Sequence, residues 1–494
     1  MNTRRNTLLI IADQFRWDCL GAAGNTVIRT PNLDALAREG TLFRKCFAQT
    51  APCGPSRMCI YTSRYLCSTR SVNNYTPLAD AHENVVMHIK DAGYQTAILG
   101  YNDYAVDPRI LPEGDARRTS LNYENFLPGF ETGLQHEYHS PEYFDYLRAK
   151  GYPEEWCGPE ICSTYNVPPD GPGPHLPLRF PAHYRAEDSE TSFLAGRATD
   201  YIRQRAGEGW FLSLNFIKPH PPRICPEPYH AMYDPGTMPS PARCPDELAS
   251  THPYLKLIHA CPALEEESEL RETMACYYGM ISEVDACVGK VLDTLRATGQ
   301  WENTLVVFMS DHGEYLGDHY LLDKGHFYDG AMRVPLIVRD PSQQADSMRG
   351  RVLDGFCESI DVAPTILDYL GIPVPDRFQG KSLLGVVRAE DGAQLKPRVH
   401  FEFDFRGRMP RLRDGEEDAC LMWVVRNERF KYVQFGLDEM PPLLFDLEND
   451  PSELVNVAGL PEYAHAELEY CGHLIRWRMK HEDQRMERWA SQFR

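Results

Sequence analysis

A chain of 494 residues, 43% hydrophobic and 25% charged, can bury a large core, and its length predicts more than one domain. A formal net charge of −20 argues against nucleic-acid binding, which needs concentrated positive charge to displace counterions. It leaves a small anionic substrate open, because a few arginines and a metal ion reverse the field locally, and no run reaches the about 18 apolar residues of a membrane span.

The first fifteen residues read MNTRRNTLLIIADQF. Two arginines precede an apolar run that stops at Asp13, too short for the roughly 7–15 residues of a signal-peptide core. A first buried strand fits better. The fifteen cysteines are odd in number, scattered and without a CxxC pair, so reduced thiols in a cytoplasmic protein are expected.

Five short runs read as buried parallel strands: TLLIIA (7–12), QTAILG (95–100), WFLSLNFI (210–217), TLVVFM (304–309) and VPLIVRD (334–340). Each is apolar on both faces, as when helices cover both sides of a sheet. Helical patterns alternate with them at 31–40, 83–94 and 269–299. The fold class predicted is α/β, a large mainly parallel sheet sandwiched by helices over residues 1–380. The stretch 109–190, rich in Pro, Gly and Tyr and ending near PPDGPGPHLPLRFP, reads as loops over the C-terminal edge of that sheet. Residues 381–494 read as a smaller α+β domain. RVHFEFDF (398–405), CLMWVVRNE (420–428) and RFKYVQF (429–435) supply antiparallel strands, and a final helix begins near 460.

The chemistry gathers at strand ends. Asp13 and Gln14 follow the first strand; Asp311 and His312, in SDHGE, follow another. Each pair alone could be a turn cap. Together they can hold one divalent cation, Ca²⁺ or Mn²⁺, with the imidazole tilting the choice to Mn²⁺. An anionic ester beside it needs cations and donors, which Arg57, Lys218, His220 and Lys324 offer. Cys53, in APCGPSRMCIYTSRY, precedes a helix predicted to start near Pro55, whose N–H groups and dipole favour an anion there. A thiolate would gain as well, so a redox reading is coherent, but sulfur is a soft partner for an oxygen-lined cation site.

Cys53-Gly54-Pro55-Ser56-Arg57, continuing to Tyr61-Thr62-Ser63, resembles the sulfatase signature C-x-P-S-R-x-x-x-x-T-G, with Ser63 at the usual glycine. The resemblance runs from LLIIADQ through SDHGEYLGDH to FDLENDPSE and implies the sulfatase branch of the alkaline phosphatase superfamily. It implies that a formylglycine-generating enzyme oxidises Cys53 to formylglycine, whose hydrate supplies an oxygen nucleophile on one divalent ion. Asp13, Gln14, Asp311, His312 and position 53 would be the metal ligands. Arg57, His220 and Lys324 would act in catalysis, with His220 or Lys324 as proton donor, and Asn74, Tyr101, Asp103 and Lys218 would line the substrate site. Asp13-Gln14 and Gly100-Tyr101-Asn102-Asp103 depart from the common sulfatase pattern and are similar to phosphonate monoester hydrolases, although Ser56 is the sulfatase choice and Asp103 stands where those enzymes often have Thr. The resemblance therefore implies an arylsulfatase-type hydrolase of small sulfate esters with overlapping phosphonate monoester and phosphodiester activity. The alternatives are a primary phosphonate monoester hydrolase and, remotely, a non-catalytic relative clipped by metal. It also implies a homo-oligomer, dimer or tetramer, with Trp477 and Trp489 as contact candidates.

Overall fold

The computed structural model describes residues 4–118, 125–137, 140–162, 180–260, 266–409 and 417–481. Trp489 and all but the last two residues of the 168–181 run lie outside them. Eight strands form one sheet: β1 (Asn6–Ala12), β2 (Thr41–Phe47), β3 (Gln95–Gly100), β4 (Thr132–Gln135), β5 (Trp210–Phe216), β6 (Thr304–Met309), β7 (Arg333–Arg339) and β8 (Arg351–Glu358). Their order is β4-β3-β5-β1-β6-β7-β2-β8.

The continuous apolar runs follow from burial on both faces. Along β1, Leu8 and Ile10 enter a core shared with the helices Glu190–Gln204 and Glu267–Ala297. Leu9 and Ile11 enter another, shared with the helices Val85–Asp91 and Val362–Leu370. Each fully buried aliphatic side chain contributes about 1.5–3 kcal/mol, so neither face tolerates polar alternation.

One strand direction corrects the sequence reading. β7, expected to be parallel, runs antiparallel to both β6 and β2. Three strands lacked an apolar run. β2 carries Arg44 and Lys45 across a register shift, β8 is half exposed along its first residues, and β4 has four residues. β4 also places part of the 109–190 stretch, expected to be loops, in the sheet itself, and a helix Pro141–Ala149 follows it.

The C-terminal part forms a separate antiparallel sheet, β9 (Val399–Asp404), β10 (Leu421–Arg426), β11 (Phe430–Phe435) and β12 (Leu443–Asp446), in the order β12-β11-β10-β9. One face packs on the helix Ala464–Lys480 through Tyr470 and Leu474. The other shares a core with Phe47, Tyr254 and Phe327 of the larger part. No two described cysteines pair in a disulfide, and no described helix is long and apolar enough to cross a membrane.

Candidate active site

Neighbouring strands deliver two carboxylates to one point. β1 and β6 are parallel with Ile11 opposite Met309, so two residues further on Asp13 and Asp311 leave the sheet at the same end. Both are fully buried. His312 comes next. Its Nδ1 lies 3.0 Å from the Gly313 carbonyl oxygen; a carbonyl only accepts, so Nδ1 carries the proton and Nε2 keeps its lone pair. That Nε2 faces Cys53 Sγ at 3.4 Å. Burial lowers the His312 pKa, which keeps the ring a neutral ligand.

Cys53 is the first residue of the helix Cys53–Thr62, two positions before the expected start, and all ten residues are buried. The Gly54 N–H donates to Asn74 Oδ1 at 3.1 Å. A side chain at Gly54 would crowd Asn74 and Asp103. At the other end Ser63 takes the left-handed conformation, φ 53°, the reason a glycine suits that position. Its hydroxyl donates to the Ile360 carbonyl at 2.7 Å.

Asp13, Cys53, Asp311 and His312 each offer one donor atom, all within 4.8 Å of one another. Asp13 Oδ1 is buried without a hydrogen-bond partner. A buried carboxylate oxygen left unpaired between an imidazole lone pair and a second carboxylate fits a cation and fits little else. The sulfur is the exception in this set, as the sequence suggests. Burial and the Asp13 charge push the Cys53 thiol well above its ordinary pKa, which argues against a thiolate nucleophile.

Arg57 organises the carboxylates from below. Its Nε donates to Asp311 Oδ2 at 2.9 Å and its Nη2 to Asp13 Oδ2 at 3.2 Å. Nη1 donates to the Tyr101 carbonyl at 2.9 Å and to Asn215 Oδ1 at 3.2 Å, and the guanidinium lies 4.1 Å from the Tyr101 ring centre. The Tyr101 hydroxyl donates to Asp13 Oδ2. Burial alone would raise the Asp13 pKa, but positive charge on the groups around it, Lys324 and Arg57 among them, holds it well below the ordinary value. The carboxylate therefore stays ionised.

Lys324 Nζ lies 3.2 Å from Cys53 Sγ and donates to Gln14 Oε1 at 3.0 Å. Burial works against its charge, yet Cys53, Asp13 and Asp311 raise its pKa. Gln14 takes a left-handed backbone, φ 62°, and its Nε2 donates to Glu314 and to Asp323 Oδ1. Its oxygen thereby points to the Lys324–Cys53 side. His220 Nδ1 sits 2.6 Å from the Pro221 carbonyl oxygen, which fixes the proton on Nδ1. Burial and the Lys324 ammonium push its pKa down to about 4.

These groups end a cavity of about 390 Å³ whose lining includes Cys53, Asn74, Tyr101, Asp103, His220 and Lys324. Lys218 is not among the lining residues. Its ammonium donates to the Pro222 carbonyl at 2.8 Å and lies 3.5 Å from Glu190 Oε1, behind the wall. Residues outside the sequence reading complete the site. Glu314 anchors Gln14, and as the last letter of SDHGE it carried a signal. Asn215, a polar interruption in the apolar strand β5, also carried one. His136 and Glu190 line the cavity from segments whose composition gives no pattern.

The chain matches the Sulfatase family model over residues 5–372 and the model described as N-sulphoglucosamine sulphohydrolase, C-terminal, over 317–480. It is 36% identical to the multifunctional alkaline phosphatase superfamily protein PehA of Trinickia caryophylli, over 99% of this chain and 98% of that one. It is 29% identical to an arylsulfatase of Clostridium perfringens, with 93% and 91% covered. The crystal structure of the phosphonate monoester hydrolase of Agrobacterium radiobacter superposes with a TM-score of 0.89 at 35% identity, covering 97% of each chain.

Proposed function

The chain belongs to the sulfatase family of the alkaline phosphatase superfamily, and on that premise we propose that it hydrolyses small monoanionic esters through an oxidised Cys53 beside a divalent cation. The observation that carries this is the meeting of Asp13, Cys53, Asp311 and His312 within 4.8 Å at the end of a cavity that also exposes Lys324.

A divalent ion at these donors supplies Lewis acidity toward an ester oxygen, and Mn²⁺ or Ca²⁺ suits them with Gln14 Oε1 as a further oxygen. Formylglycine at position 53 supplies, as its hydrate, a hard oxygen nucleophile in place of the mismatched sulfur. Because residues 53–62 are all buried, the oxidising enzyme acts before this helix folds.

The remaining work falls to the chain's own side chains. Arg57 holds Asp13 and Asp311 ionised and aimed. Lys324, kept charged by its neighbours, donates to an oxygen of the transferred group or to the leaving oxygen. His220 is neutral at pH 7 with its lone pair on Nε2, so it accepts a proton rather than giving one. Lys324 is then the donor. One ammonium against the carboxyl of Asp103 favours a singly charged ester over a phosphate monoester.

Sulfate monoesters, phosphonate monoesters and phosphodiesters all meet that condition. The higher similarity to the phosphonate monoester hydrolase, together with Gln14 and Tyr101 at the carboxylates, supports placing phosphonates and diesters ahead of aryl sulfates, the reverse of the order drawn from the sequence. The test is kcat/KM for an aryl phosphonate and an aryl sulfate on protein whose Cys53 peptide shows the aldehyde by mass spectrometry. Hydrolysis of the phosphonate by the unoxidised thiol protein at the same rate would overturn the proposal.

A further inference from the structure

Around the ester end, the cavity carries more carboxyl groups than binding an anionic ester calls for. Its described lining includes four carboxyl side chains, Asp103, Glu137, Glu160 and Glu190, against one ammonium, Lys324. Lys324 is engaged with Gln14 and Cys53. Glu190 is matched, 3.3 Å from His136 Nε2 and 3.5 Å from Lys218 Nζ.

Asp103 is not matched. It is 3% exposed, and neither of its carboxyl oxygens has a hydrogen-bond partner. It sits in left-handed backbone, φ 51°, three residues past the glycine that ends β3. Burial pushes the Asp103 carboxyl up to about 7 even though the Arg57 and Lys324 charges pull it down, so its ionised form is costly, and the oxygens of an incoming sulfate or phosphonate increase that cost. A positive group on the ligand removes it. The rest of the wall suits such a group, because Phe144 offers an aromatic surface and Ile217, Pro221 and Pro222 offer apolar ones, as alkylammonium ions require.

We propose that the alcohol half of the natural substrate carries an ammonium group, seated against Asp103 while the ester anion lies at Cys53. The ligand is thus a short zwitterion. This rests on the hydrolase reading only for its anionic end.

The test uses two sulfonates of the same shape, neither with a cleavable ester bond: 3-(trimethylammonio)propane-1-sulfonate and 4,4-dimethylpentane-1-sulfonate. They differ by a nitrogen cation in place of a carbon. Calorimetry on the full chain should find the zwitterion bound at least about tenfold tighter, the gain of one desolvated cation contact. In Asp103→Asn that ratio should fall to within about threefold. Equal affinities, tighter binding of the neutral tail, or no binding of either compound overturns the proposal in the wild-type chain alone. An unchanged ratio in Asp103→Asn overturns the role of Asp103. Turnover of an aryl phosphonate monoester whose aryl group carries no charge is measured in parallel, so hydrolysis without a cation preference sinks this inference and leaves the hydrolase reading standing.

Discussion

Removing Arg57 tests whether the two buried carboxylates are held for a cation. Its side chain is fully buried and makes four hydrogen bonds, two of them to Asp13 and Asp311. Arg57→Ala leaves both carboxylates buried without their counter-charge. Breaking a buried pair in this way costs about 3–5 kcal/mol. An unfolding entropy of about 2.1 cal/mol/K per residue over 494 residues gives about 1 kcal/mol/K, so the thermal midpoint should fall by about 3–5 °C. The assay is scanning calorimetry of wild type and variant in chelator and again in excess Mn²⁺. In chelator the full gap is expected. With Mn²⁺ it should narrow, because the ion supplies the positive charge the guanidinium gave. A shift below about 1 °C in chelator, or a gap that widens with Mn²⁺, would refute the reasoning.

Cys53→Ala should lower turnover of an aryl phosphonate more than about a thousandfold with an unchanged circular dichroism spectrum; a rate near wild type would remove position 53 from the chemistry. Lys324→Ala should reduce kcat by about 10²–10³, the usual cost of losing one transition-state donor, and a loss under tenfold would move the donor role elsewhere. Glu402, on β9, gives a pH test away from the cation site. Burial raises its pKa from 4.5 to about 7, although its carboxylate accepts the Cys67 N–H at 2.8 Å. The folded state disfavours the charged form, so Glu402 costs wild type stability as pH rises from 4.5 through about 7, a cost that Glu402→Gln lacks. The variant should match wild type near pH 4.5 and exceed it by about 3 kcal/mol at pH 8, some 3 °C in midpoint. A gap that shrinks with rising pH would reverse that assignment.

The parts of the fold that could be read from the chain are those where one physical cause dominates a short segment. β1, β3, β5 and β6 are buried on both faces along most of their length, so burial dictates most of their letters and the runs stand out. β7 is as apolar and was recognisable as a strand, but its direction is set by the path of residues 310–332, which carry Asp311, His312 and Lys324 back across the sheet edge. No local pattern encodes that path. β2, β4 and β8 lie at or near the sheet edges, where exposure, a register shift or shortness dilutes the signal.

The site divides along the same line. Asp13 and Asp311 were legible because a carboxylate closing an apolar strand is a local event, and the Cys53 signature was legible as a motif. That β1 and β6, nearly 300 residues apart, lie side by side is a property of the whole sheet, and it is what brings two strand ends together as one candidate cation site. Lys218 shows the converse. A lysine just beyond a strand end has the sequence profile of a substrate contact, yet here the Glu190 carboxylate and the Pro222 carbonyl hold it behind the wall. The local pattern identifies a charged group near an active-site edge, and only the partner from a distant segment decides whether that charge faces the ligand. Glu190, the partner that decides it, lies at the end of the 109–190 stretch, and the same carboxylate that withdraws Lys218 from the cavity leaves Lys324 as the one ammonium among the described lining residues.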